Sequence, residues 1–149
     1  MKGKNAAWKK RPGKLGVLAP LMGAWKAEAM SPMGKIRCTR TFSPFGSSYV
    51  QLKALWEFDK GAYEEVAIYG VKDGTLSFWS FTSDGKRSEG SLADGSDVHD
   101  QAIAFEAEMP AGRARMIYWP DEDTGIRWAV EAKTKKGWRR FTEHHYTQS

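Results

Sequence analysis

Along residues 48–58 the side chains alternate: Val50, Leu52, Ala54, Trp56 and Phe58 fall on one side, and Tyr49, Gln51, Lys53, Leu55 and Glu57 on the other. An extended strand points successive side chains to opposite faces, so this period of two predicts a strand with one buried face. The pattern returns in Val66 and Ile68 against Glu65 and Ala67, in Ile103, Phe105 and Ala107 against Ala104, Glu106 and Glu108, and in Ile126, Trp128 and Val130 against Arg127, Ala129 and Glu131. Turn dipeptides punctuate these runs, among them Met33-Gly34, Lys60-Gly61, Asp73-Gly74, Asp84-Gly85 and Lys136-Gly137. Gly supplies the backbone conformation of tight hairpin turns, and Asp-Gly is a strong hairpin signal. The spacing predicts ten strands, over residues 23–30, 35–43, 48–58, 62–70, 75–82, 86–92, 101–109, 113–119, 125–133 and 137–147. Ala93 to Asp100 is expected to be the one long loop, and Lys14 to Met22 a short helix or plug.

Successive strands joined by tight turns form an antiparallel meander, which leaves two unpaired edges unless it closes on itself. The expected fold is therefore all-β: an antiparallel up-and-down β-barrel of about eight to ten strands. An open β-sandwich is the alternative. The chain of 149 residues suits one domain, read as 15–149, preceded by a basic flexible tail over 1–14.

Composition agrees with this reading. Aromatic residues make up 13% of the chain, with seven Trp and 15 Gly, which suits hairpins packing large flat rings. The single cysteine, Cys38, excludes an intramolecular disulfide framework and is expected to be a small buried residue. The net charge of +5 comes from the tail, where Lys2, Lys4, Lys9, Lys10, Arg11 and Lys14 stand without an acid; the rest carries 17 basic side chains against 18 acidic. A near-neutral body lacks the charge along one face that tracking phosphates requires, so specific nucleic-acid binding is not expected. The apolar run Leu15 to Met22 is short and broken by Gly16 and Pro20, unlike a secretory leader, and no stretch approaches a membrane span. The expected location is the cytoplasm.

Two segments suggest how the ends meet. Leu21-Met22-Gly23-Ala24-Trp25 opens the first strand, and Trp138-Arg139-Arg140-Phe141 lies in the last. Gly-x-Trp at the start of strand one, with a late basic residue over the indole, resembles the structural signature of the calycin superfamily, the lipocalin and fatty-acid-binding-like barrels. The layout is closest to nitrobindin-like barrels and related families. The resemblance implies that Gly23, Trp25 and Arg139 (or Arg140) close the barrel.

The last strand also carries the most suggestive chemistry. Strict alternation puts Trp138, Arg140, Thr142, His144 and Tyr146 on one face and Arg139, Phe141, Glu143 and His145 on the other. Whichever face is inward brings one histidine into the lumen; if it is the first, Arg140, His144 and Tyr146 converge on an anionic or polar head group, with Trp56 and Trp128 lining the ligand's apolar part. The expected function is non-catalytic binding of a small hydrophobic or amphipathic ligand inside the barrel, without a cofactor or metal. Resemblance to nitrobindins implies an alternative, a haem held by His144 or His145 and acting on NO or peroxide species. A third reading is an interaction or assembly module, a homodimer included. No zinc-ligand spacing, phosphate-binding Gly loop or nucleophile elbow occurs.

Overall fold

In the computed structural model, which describes residues 5–32 and 34–149, ten antiparallel strands close into a barrel with the order β1-β10-β9-β8-β7-β6-β5-β4-β3-β2. The strands are β1 (Gly23–Ser31), β2 (Gly34–Phe45), β3 (Tyr49–Phe58), β4 (Gly61–Lys72), β5 (Thr75–Thr82), β6 (Arg87–Ala93), β7 (Ile103–Met109), β8 (Gly112–Pro120), β9 (Ile126–Thr134) and β10 (Gly137–Gln148). Each expected strand is present, and the open sandwich is replaced by full closure. Lys2 and Lys4 of the basic tail, and Met33 of the first turn, lie outside the described residues. Among the described residues no helix is long and apolar enough to cross a membrane.

The seam is short. β1 meets β10 through Trp25 opposite Gln148 and Lys26 opposite Thr147, with Ser149 N–H donating to the Ala24 carbonyl at 2.9 Å. No pairing between the two strands continues from Ala27 and Tyr146 onward among the described residues. A surface groove of about 490 Å³ runs there, lined by Ala27, Arg37, Cys38, Glu57 and His145 among others.

One end of the barrel is sealed. A 3-10 helix over Leu15–Leu21 drops Leu18 and Leu21 into it, both fully buried. Gly23, at φ 117°, lets the chain turn from this plug into β1, a conformation that a side chain disfavours. Trp25 is buried beneath the plug and donates its indole N–H to the Leu21 carbonyl at 2.8 Å. Above the plug the interior is filled with rings. Phe42 meets Tyr118 edge-on at 5.8 Å, Tyr69 meets Phe105 at 5.1 Å, and Phe78 meets Phe105 at 5.8 Å. Such tilted and edge-on pairs each contribute roughly 0.5–1.5 kcal/mol beyond the area they bury.

The outer wall carries a ladder of alternating charge. Glu106, Arg115, Glu131 and Arg140 stand side by side across β7, β8, β9 and β10. Arg115 is almost fully buried there: it donates to Glu131 at 2.7 and 2.9 Å, to Asp97 at 2.6 and 2.9 Å, and stacks on Trp138 at 4.4 Å. The loop between β6 and β7, residues 94–102, lies over this wall and covers Ala104, Ile117 and Ala129. Asn5 and Trp8, read from sequence as tail, lie beside the same loop, and Pro12 to Lys14 lie against Ser48, Tyr49 and Val71. Asn5 donates to the Asp121 and Gly125 carbonyls, and the buried Trp8 donates to the Gln101 carbonyl at 3.2 Å.

Candidate functional site

Three inward positions of β2, Cys38, Arg40 and Phe42, alternate with the exposed Thr39 and Thr41. The period that buries Cys38 and Phe42 therefore carries a cation into the barrel, and Arg40 has no exposure to solvent. Its guanidinium lies 4.8 Å from the ring centre of Trp128 and 5.6 Å from those of Trp56 and Tyr118, an aromatic cage suited to a cation. Nη2 donates to the Tyr118 hydroxyl at 2.8 Å and lies 3.5 Å from Met116 Sδ. The nearest carboxylate, Glu65, is 3.9 Å away, beyond hydrogen-bond range, while its other oxygen accepts from the Ser80 hydroxyl at 2.5 Å. Arg40 Nε and Nη1, together with Trp128 Nε1, are the buried side-chain nitrogens and oxygens that lack a hydrogen-bond partner among the described residues.

The phenols, thiol and imidazole around Arg40 are held in their neutral forms. Burial raises the Tyr69, Tyr118 and Tyr146 phenols above their ordinary range and pushes the Cys38 thiol up to about 11. Burial also lowers His144, assisted by the charges of Arg40 and His145. Burial disfavours the charge on Arg40 too, but Tyr118, Tyr146 and Glu65 outweigh it and hold the guanidinium above its ordinary value. A protonated thiol is a poor nucleophile, so Cys38 offers none. What the arrangement offers is charge and hydrogen-bond donors.

Away from the plug the lumen opens. Gly90, Ala107, Ala114 and Ala132 form a continuous cross-strand row over β6, β7, β8 and β9, and they face inward because their neighbours Glu106, Arg115 and Glu131 belong to the outer charge ladder. All four are partly exposed, as are the inward Trp56, Tyr63, Met116, Val130 and Thr142. A position that faces into a closed barrel and still touches solvent lines an open mouth. Gly90 adjoins the filled half: a Cβ there would lie 2.2 Å from the Glu106 carbonyl oxygen and 2.6 Å from Phe78.

The site residues expected from sequence divide between the two faces. His144 and Tyr146 point inward, with His144 Nδ1 3.4 Å from the Tyr146 hydroxyl and its ring 5.0 Å from that of Trp128. Trp56 and Trp128 join them around Arg40. Arg140 does not. Opposite β9, Arg140 pairs with Glu131 and Thr142 with Val130, so Phe141 is an extra residue, a bulge that reverses the phase of the strand. Arg140 is thereby turned outward, where it donates to Glu131 at 2.9 Å and Glu143 at 2.7 Å and lies over Trp119 at 5.0 Å. The closure role of Arg139 is also corrected. It sits opposite Ala132, nine positions before the Gln148 that faces Trp25, roughly 30 Å along the strand, and packs on Phe141 at the other end of the barrel. The basic residue deep in the barrel is Arg40. Its signal lay in the alternation of β2, where a charge shares the face of Cys38 and Phe42.

The two histidines named for the haem alternative lie on opposite faces of β10. His144 is inward and held neutral, as an axial ligand must be, whereas His145 lies outside beside Glu143 and Asp121. No group of three or more His, Cys, Asp or Glu suited to a metal ion occurs among the described residues.

No family model and no curated protein matches this chain. Among solved structures, Rv2717c from M. tuberculosis superposes with a TM-score of 0.59 at 12% identity, covering 95% of this chain and 99% of its own. The likeness is one of fold. A de novo designed fluorescence-activating β-barrel aligns over 86% of this chain and 93% of its own, with a TM-score of 0.43 and 16% identity. The fold is thus shared with a protein of almost the same extent.

Proposed function

We propose that the protein binds a small hydrophobic or amphipathic molecule in the open half of its barrel and performs no chemistry on it. The observation that carries this reading is the inward yet solvent-touched row Gly90, Ala107, Ala114 and Ala132 facing Trp56. Small side chains on one wall leave room that rings fill elsewhere in the lumen, and apolar walls with a few buried polar groups are what small-molecule sites require. Titration of the intact chain with a panel of retinoids and neutral amphiphiles, read by tryptophan fluorescence, tests it. Saturable quenching by a panel member is expected, abolished in Ala114→Phe while thermal unfolding stays cooperative. No saturable response across the panel, or one indifferent to Ala114→Phe, contradicts it.

A second reading is haem binding through His144, favoured by its inward, neutral imidazole beside Trp128. Haem would supply the redox chemistry on NO or peroxide, and His144 would hold the iron. This reading predicts a Soret band on reconstitution that is lost in His144→Ala and kept in His145→Ala. Identical spectra for the three proteins exclude it.

A further inference from the structure

We infer that the head group received in the barrel is a carboxylate, taken by the free donors of Arg40 with the indole N–H of Trp128. The inference rests on the interior-binding reading above and names the chemistry of its ligand. Charged donors sealed from water and left without acceptors are costly, and native proteins rarely keep them. Here three nitrogens in one cluster are left so, Arg40 Nε and Nη1 and Trp128 Nε1, and all three are donors. The carboxylate that belongs to the barrel cannot serve them, since Glu65 is held toward Ser80 and stays 3.9 Å from Nη2.

The other buried arginine shows what the same chain does when a cation is purely structural. Arg115 is 3% exposed, and its Nε, Nη1 and Nη2 all donate to Asp97 or Glu131. Arg40, more deeply buried, hydrogen-bonds a phenol and a thioether through Nη2, with Glu65 at 3.9 Å and the Tyr146 hydroxyl beside it, and leaves Nε and Nη1 without a partner among the described residues. A cluster made only of donors selects a ligand head that only accepts. An ionised carboxylate does so with two oxygens and a charge opposite to that of the guanidinium. A primary amide would bring two N–H groups with no acceptor to meet them.

Access follows from the cage. Of the three rings over Arg40, Tyr118 is fully buried and Trp128 is 4% exposed, whereas Trp56 is partly exposed at the mouth. Rotation of Trp56 therefore uncovers Arg40 from the open side, and the ligand's apolar body then rests on Ala107, Ala114 and Val130.

The experiment compares 2-naphthoate with 2-naphthamide on the intact chain at neutral pH, read by tryptophan quenching and by the ¹H–¹⁵N resonances of arginine Nε and tryptophan Nε1. Naphthoate is expected to bind at least about tenfold tighter than the amide, the scale of a charge-assisted hydrogen bond. The Arg40 Nε–H and Trp128 Nε1–H signals shift with saturation, Arg40→Met removes the preference for the acid, and Trp128→Phe weakens naphthoate several-fold. If Arg40→Met does not fold, the acid-to-amide ratio and the two resonances of the unmutated chain decide. Equal affinity for acid and amide overturns the carboxylate assignment and leaves interior binding standing. If neither saturates, the assignment is overturned, and interior binding falls with it only when the neutral panel also fails.

Discussion

The two halves of the barrel interior follow opposite rules. Toward the plug, Leu18, Leu21, Trp25, Phe42, Tyr69, Phe78 and Phe105 fill the lumen ring against ring and exclude water. Toward the other end, the wall shrinks to the partly exposed Gly90, Ala107, Ala114 and Ala132, and at the boundary the buried Arg40, opposite Trp25, keeps donors unused. Packing alone explains the first half, because close-packed apolar volume stabilises a fold wherever it is placed. It does not explain the second, where larger apolar residues would stabilise more. The difference separates the half that holds the fold together from the half whose composition packing does not dictate.

That contrast is most strongly challenged by truncation in the filled half. Phe105→Ala removes a fully enclosed ring from contact with Tyr69 and Phe78 and should cost about 3–5 kcal/mol in urea unfolding. A loss under about 1 kcal/mol would mean that this half is loosely packed. At the boundary, Gly90→Ala drives a methyl group into the Glu106 carbonyl and the Phe78 ring and should cost about 1–3 kcal/mol, seen as a lower denaturation midpoint. An unchanged midpoint would show that Phe78 does not lie against the β6 backbone.

A smaller effect separates the halves by pH. In the native state His144 is held below its ordinary value near 6.5 by burial, then by Arg40 and His145. The unfolded chain therefore binds a proton there before the folded one does, and stability should decline as pH falls below about 6.5 toward the native value. His144→Gln should flatten that part of the profile. A profile unaffected by the substitution would place His144 in contact with water. The smallest stability change is expected in the open half: Ala114→Leu should shift unfolding by less than about 1 kcal/mol while weakening any interior ligand at least about tenfold.

Much of the fold was legible because one physical signal repeats. Period-two burial in segments such as Val50 to Phe58 and Ile126 to Val130, with Gly at the turns, predicts both the strands and their inward faces. Ten strands without covered edges then require closure. The site was less legible. Arg140 was expected in the lumen because alternation was carried through Phe141, and a one-residue bulge reverses every side chain before it. The bulge lets Arg140 complete the outer ladder with Glu131, an energetic preference between neighbouring strands that only pairing reveals. Arg40 was passed over although its place between Cys38 and Phe42 marks the buried face. A single arginine in a strand is usually solvated, and nothing local shows that Trp56, Trp128 and Tyr118, from three other strands, enclose it.

The division of the interior is most directly tested by solvent paramagnetic relaxation with a soluble gadolinium chelate, read on methyl resonances. The account predicts strong relaxation at Ala107, Ala114 and Ala132 together with protection of Leu21, Leu52 and Ile103. Equal protection of both sets would mean that the barrel is filled from end to end, and the reading of its open half as a binding site would be wrong.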